Sequence, residues 1–272
     1  MVDIRQTSKY ARYMQSLGWK VEKLSSRGRL TYVYVRKIPI LGAVLKIQRP
    51  EKLDIDKLEA LKNKYRIFQI IVEPSSEIQA ASLLGRGYKL SKSPYLPTKT
   101  LELDLSQSKK ELLKNLKKDA KYALRKTSRL KLSTNPNLES FHEFWVKSVP
   151  WQRWVPPARN FRKLQETFGS SSLLLASHNM EAGAIFLLAS GRAYYWQAFT
   201  GKGARRALAQ YKIVWEGILW AKKNGAKRFD FEGVYDARFP NKRWLGFSLF
   251  KKKFGGVEKD YPGAYIKTYI PL

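Results

Sequence analysis

Apolar residues in the first third of the chain switch between helical and strand spacing. Over 9–17 they recur at helical spacing and Gly18 closes the stretch, which predicts a first helix. The runs 30–36 and 43–48 alternate instead, each bounded by Gly or Pro, and read as strands. Residues 55–65 are amphipathic, with Leu58 and Leu61 on one face, and lead into an apolar strand at 67–72. A helix over 78–84 is closed by Gly85 and Gly87, and the Ser, Pro, Tyr and Thr around Pro94 and Pro97 make 91–98 an interdomain link.

The second part opens with a strand at 100–105. Ser108 and Glu111 then form a capping box, in which serine and glutamate satisfy free amides at a helix start. One helix is predicted from there to about residue 130. Leu112, Leu116, Ala120, Ala123 and Leu124 lie on its apolar stripe, and Lys114, Lys117, Lys118, Lys121 and Arg125 on its basic face. Helices at 138–149 and 159–168 follow, then a β-meander (173–177, 182–188, 193–199), a long helix at 207–224 and a strand at 227–231. The order meander, helix, strand, short helix ending in glycine, strand occurs twice. The fold class is therefore mixed α/β (α+β), with two copies of one domain at 1–98 and 99–272. A cleft between two such copies is a natural ligand site.

Charge narrows the partners. The chain has 52 Lys and Arg against 22 Asp and Glu, a net charge of +30 spread over both halves. Such a field draws a polyanion, either nucleic acid or an anionic membrane surface. With no cysteine and only two histidines, His142 and His178, thiol chemistry is excluded and a metal site is not expected. Neither a P-loop nor a Gly-x-Ser-x-Gly turn occurs, and no cofactor is implied. The apolar runs are too short to span a bilayer and the first residues lack a signal-peptide core, which predicts a cytoplasmic protein.

Chemistry remains available if the substrate arrives activated, because esters and thioesters need little beyond positioning and a stabilised oxyanion. Phe247, Phe250 and Phe254 are spaced to share one face of a short helix that Gly255 and Gly256 terminate. Lys251 then lies off that face, at a cleft wall, as a fixed cation for an oxyanion. A glycine loop, Gln197 to Gly203, stands before the long helix where acyl-CoA N-acyltransferases carry their pyrophosphate loop. Its glutamine falls one residue early, with Ala198 in the glutamine's place. The amides around 201–204, beside Arg205 and Arg206, are at a helix start suited to a phosphate.

Several of these segments resemble the FemABX family of aminoacyl-tRNA-dependent peptidoglycan peptidyltransferases. The resemblance lies in Thr100-Leu101-Glu102-Leu103-Asp104-Leu105-Ser106, in Lys121-Tyr122-Ala123-Leu124-Arg125-Lys126 and in Phe229-Asp230-Phe231-Glu232-Gly233. It is most specific in Phe250-Lys251, Phe254, Gly255 and Gly256, and it extends weakly to Gln15, Ser16, Trp19 and Lys23. It implies two tandem GNAT-like domains that move an amino acid from aminoacyl-tRNA to the amine of a peptidoglycan precursor stem peptide. Lys251 and Phe250 would be catalytic. Lys23, Arg153, Tyr195, Arg205, Arg206 and Asp230 would contact substrate, and Lys114, Lys117, Lys118, Lys121 and Arg125 would hold tRNA. Peripheral contact with the inner face of the plasma membrane is compatible with the same reading. Two departures stand out: Lys121 where the family has arginine, and Glu232 where it has glycine. An acyl-CoA-dependent N-acyltransferase of the same fold, a protein-directed aminoacyltransferase, and a non-catalytic nucleic-acid-binding protein using Trp151 and Trp154 are the alternatives.

Overall fold

A computed structural model describes residues 1–26, 28–150 and 154–269. They form two compact units. One holds residues 1–99, 236–241 and the chain from 260 on; the other holds 100–235 and 242–259.

In the first unit, the Thr7 hydroxyl accepts the Tyr10 N–H and starts α1 (Ser8–Ser16). The antiparallel meander β1 (Lys20–Ser26), β2 (Arg29–Ile38) and β3 (Gly42–Gln48) follows. Helix α2 (Ile55–Tyr65) buries Leu58, Leu61 and Tyr65 and returns the chain to β4 (Ile67–Glu73), parallel to β3. Helix α3 (Glu77–Gly85) and the two-residue β5 (Lys89–Leu90) complete this run.

The second unit begins with β6 (Lys99–Asp104). Next come α4 (Lys109–Asn115), α5 (Lys118–Lys126), β7 (Leu132–Thr134), α6 (Leu138–Ser148) and α7 (Ala158–Phe168). The second meander is β8 (Ser172–Ser177), β9 (Ala182–Ala189) and β10 (Arg192–Thr200). It is followed by α8 (Lys202–Arg206), α9 (Ala209–Lys223), β11 (Arg228–Gly233) parallel to β10, α10 (Leu245–Lys252), β12 (Val257–Asp260) and, last, β13 (Tyr265–Thr268). Strand β9 is an almost continuous apolar run because helices cover both its faces. On one face α9 lies so close that a Cβ at Gly217 would come 2.2 Å from the Phe186 ring. On the other, α6 brings Phe141 and Trp145 onto Phe199, with ring centroids 5.1 and 5.7 Å away.

The sheet orders are β1-β2-β3-β4-β13-β5 and β12-β6-β11-β10-β9-β8-β7. The repeated order read from the sequence is present in both: meander, helix, parallel strand, helix, short strand. Each sheet also has a slot between its parallel strand and its short strand. Strand β13 fills that slot in the first sheet and β6 fills it in the second. A single cut at residue 98 therefore does not describe the chain, because its last strand pairs with β4 and β5.

The long basic helix is also different from the one expected. The capping box of Ser108 and Glu111 is present, but Leu116 is extended (φ −63°, ψ 142°) and separates α4 from α5. No glycine or proline marks the break. Leu116 instead drops its side chain into the core, and the Lys117 N–H donates to the Lys253 carbonyl at 2.9 Å. Among the described residues, no helix is long and apolar enough to cross a membrane.

Candidate active site

The site is built on a bulge in β11. Phe229 and Phe231 point into the core of the second unit, where Phe231 meets Tyr195 and Phe254. Pairing with β6 runs from Arg228 opposite Asp104 to Asp230 opposite Glu102, then shifts so that Gly233 faces Thr100. The one extra residue is absorbed at Glu232, whose φ of 56° is left-handed, a conformation that costs a residue with a Cβ about 1–2 kcal/mol. The buried Asp230 carboxylate holds the bulge. Its Oδ1 accepts the Glu232 N–H at 2.7 Å and the Thr100 hydroxyl, and that hydroxyl is also 2.6 Å from the Glu232 carbonyl.

Past the bulge, residues 233–235 are clamped by α10. The Ser248 Oγ accepts the Tyr235 N–H at 2.7 Å and donates to the Trp244 carbonyl at 2.6 Å. The Lys251 Nζ donates to the Gly233 carbonyl at 2.6 Å. These two polar side chains, one helical turn apart, are the buried face of α10. They are buried because the backbone at the end of β11 and just past it requires partners. The three-ring face expected from the sequence is therefore not what anchors the helix. Phe247 is 38% exposed and packs against Trp244, while Phe250 and Phe254 pack with Tyr211, beyond or at the helix end. Lys251 lies on the buried face, 8% exposed, and not on an open wall.

Burial pushes the Lys251 ammonium down to about 8, and the charges of Glu232 and Asp230 act in the opposite sense. Its Nζ is 5.8 Å from the Tyr195 ring centroid and 5.0 Å from that of Phe247. Tyr195 is itself fixed, its hydroxyl accepting from Gln210 Nε2 at 2.7 Å. Neighbouring lysines of the same run have ordinary surface roles: Lys252 pairs with Glu258 and Lys253 with Asp119, both at 2.6 Å. Of three consecutive lysines, one alone is a desolvated, directed cation.

The structure thus brings together Lys251, Tyr195 and Asp230. Phe250 adjoins them, with its ring in the Tyr211 and Phe254 cluster and its carbonyl accepting the Lys253 N–H at 3.1 Å. Lys23 is exposed on β1 of the first unit. Arg153 and Trp151 lie outside the described residues, and Trp154 is 74% exposed. Arg205 and Arg206 are exposed on the five-residue α8. The phosphate loop expected before them is already engaged: the Gly201 N–H donates to the Glu181 carbonyl at 2.7 Å, and a Cβ at Gly203 would come 2.3 Å from Glu181 Oε2. A carboxylate thus lies over the loop, where a phosphate would be repelled.

Lys114, Lys117, Lys118, Lys121 and Arg125 are all exposed at the surface. Lys118, Lys121 and Arg125 line an open groove of about 730 Å³ with Asp119, Tyr122, Leu208 and Tyr211. Tyr211 stacks on Phe254 and meets Phe250, so the groove backs onto the end of α10 next to Lys251. Sequence reasoning missed Thr100, Ser248 and the role of Glu232. The one signal for any of them was a glutamate in Phe-Asp-Phe-Glu-Gly where glycine is the residue the backbone prefers.

No family model and no curated protein matches the sequence. Solved structures do resemble the fold. A crystal structure of FemX superposes with a TM-score of 0.80 over 98% of this chain and 92% of that one, at 14% identity. The C-terminal domain of a putative lysylphosphatidylglycerol synthetase from Agrobacterium fabrum gives 0.64 over 97% and 88%, at 14% identity. A tandem GNAT protein from the clavulanic acid biosynthesis pathway gives 0.60 over 93% and 84%, at 10% identity. The chain has the FemX-like tandem GNAT fold that the sequence resemblance implied.

Proposed function

We propose that this chain is an aminoacyltransferase that moves an amino acid from aminoacyl-tRNA to the amine of a peptidoglycan precursor stem peptide. The observation that carries this reading is Lys251, a buried cation between a bulge carbonyl and two carboxylates, in a fold like that of FemX. The acceptor amine attacks the ester carbonyl carbon of the aminoacyl-tRNA. Lys251 directs one of its three N–H groups at the Gly233 carbonyl, which leaves two to face the developing oxyanion. As the intermediate collapses, the bond to the ribose oxygen breaks and the amine's proton passes to that oxygen. No side chain is assigned as general base. The groove beside α5 supplies Lys118, Lys121 and Arg125 for tRNA phosphates, and Tyr122 a ring on which a base can stack.

The test is incubation with mixed charged tRNAs and muropeptide precursors, with mass readout of the acceptor. The expected product is the precursor plus one aminoacyl residue. Parallel reactions with acetyl-CoA and with phosphatidylglycerol decide the class. Acetylation without any tRNA-dependent product, or transfer to the lipid hydroxyl alone, would overturn the assignment.

A further inference from the structure

We propose that the outer face of α10 seats this protein on an anionic lipid surface. The inner face of the helix is fixed by Ser248 and Lys251, yet its other side is apolar and uncovered: Leu245 is 44% exposed and Leu249 is 62% exposed. Val257, just beyond the helix, is 75% exposed. Three such residues in one short stretch are more than the scattered single hydrophobics of an ordinary surface. Charge identifies what covers them. From Ala237 to Val257 the chain has six basic residues and no acidic one; Lys251 is buried, Arg238, Lys252 and Lys253 pair with carboxylates outside this stretch, and Lys242 and Arg243 are exposed. Exposed Lys242 and Arg243 stand at the start of the helix and half-exposed Lys252 at its end. Apolar side chains bracketed by cations are the two signals that together hold a peripheral protein on anionic lipid.

The other occupants fit less well. Nucleic acid answers the cations but offers aliphatic Leu245, Leu249 and Val257 nothing to bury against. A second copy of the chain would bring its own charge of +30 to the same patch. The inference is independent of the reaction proposed for Lys251.

The full chain has no cysteine, so a single introduced one reports on one place. Leu249→Cys and, as control, Ile40→Cys in the first unit, where Ile40 is fully exposed, are labelled with an environment-sensitive fluorophore. Each is mixed with vesicles of phosphatidylcholine alone or with phosphatidylglycerol. The expected result is a blue shift at 249 with anionic vesicles only, and none at 40. In sedimentation, Leu245→Ser with Leu249→Ser should weaken vesicle binding about tenfold or more. Neutralising Lys242, Arg243 and Lys252 to Gln should weaken it about a hundredfold. Because these side chains are exposed, circular dichroism should be unchanged in every variant. Binding without a shift at 249 would assign the membrane to another face. A shift that grows with protein concentration in the absence of lipid would assign a second copy. No binding at all would overturn the proposal outright.

Discussion

Replacing Lys251 by methionine should separate function from stability, with different signs. Methionine keeps the apolar stem and deletes the charge. Burial takes the ammonium from its ordinary 10.5 to about 8, so keeping it charged inside the fold at neutral pH costs about 3 kcal/mol. Against that, methionine leaves the Gly233 carbonyl without its 2.6 Å donor, a loss of about 1–3 kcal/mol for a buried acceptor. The two nearly cancel, so at pH 7 the variant should unfold in urea at close to the same midpoint as the parent. The pH dependence does not cancel. Between about 8 and 10.5 the unfolded chain still holds the lysine proton that the folded one has released. Parent stability therefore rises with pH through this window. From pH 7 to 9.5 the parent should gain about 2 kcal/mol relative to Lys251→Met. Catalysis should fall ~100- to 1,000-fold in kcat, the usual effect of one lost oxyanion donor, with KM nearly unchanged. Urea titrations at the two pH values and initial rates by mass readout are the assays. A pH-independent stability difference would show that Lys251 is not desolvated. Equal losses in Lys252→Met and Lys253→Met, both ion-paired at the surface, would show that charge acts diffusely.

Glu232→Gln should move the alkaline limb of kcat/KM to lower pH, because the carboxylate that favours charged Lys251 is gone; an unmoved limb in a pH-rate profile would disconnect the two residues. Reversing Lys118, Lys121 and Arg125 to glutamate should weaken tRNA binding and flatten its salt dependence, by about 0.9 in log–log slope for each phosphate no longer neutralised. Unchanged filter-binding curves at two salt concentrations would remove the groove from the tRNA surface. Calorimetry with coenzyme A should give no binding heat, since Glu181 lies over the loop at Gly203; micromolar affinity would bring the acyl-CoA alternative forward.

Local rules carried the sequence reading as far as local chemistry decided the structure. The Ser108–Glu111 box, the α2 stripe of Leu58 and Leu61 and the apolar run of β9 were legible because each follows from a few adjacent residues. The break at Leu116 was not, because it depends on a carbonyl from Lys253, far along the chain. Strand β1 was hidden by Lys20, Glu22 and Lys23, charges that an edge strand tolerates and that blur its alternation. Within the site, Lys251 was singled out from the aromatic spacing and the closing glycines, and Phe250 was joined to it through resemblance, but the burial of Lys251 was not legible. In a Lys-Lys-Lys run only tertiary packing decides which ammonium is withdrawn from water. The left-handed turn at Glu232 was half visible, as a glutamate where glycine was expected, although sequence alone does not reveal that its carboxylate acts on Lys251.

The two filled slots bear on how this protein comes into being. After each short strand the chain changes sheet: β6, after β5, opens the second sheet, and β13, after β12, returns to the first. During synthesis the first sheet cannot be completed when its earlier residues have emerged, since among the described residues β5 pairs with β13 alone, more than half the sequence later. Until then β4 presents an open apolar edge, the kind of surface that invites wrong pairing and chaperone attention. The first sheet consequently depends on the last strand of the chain for its completion. The N-terminal segment is not a module that recombination could transplant without β13, and a lesion in β13 should be felt first by the N-terminal sheet.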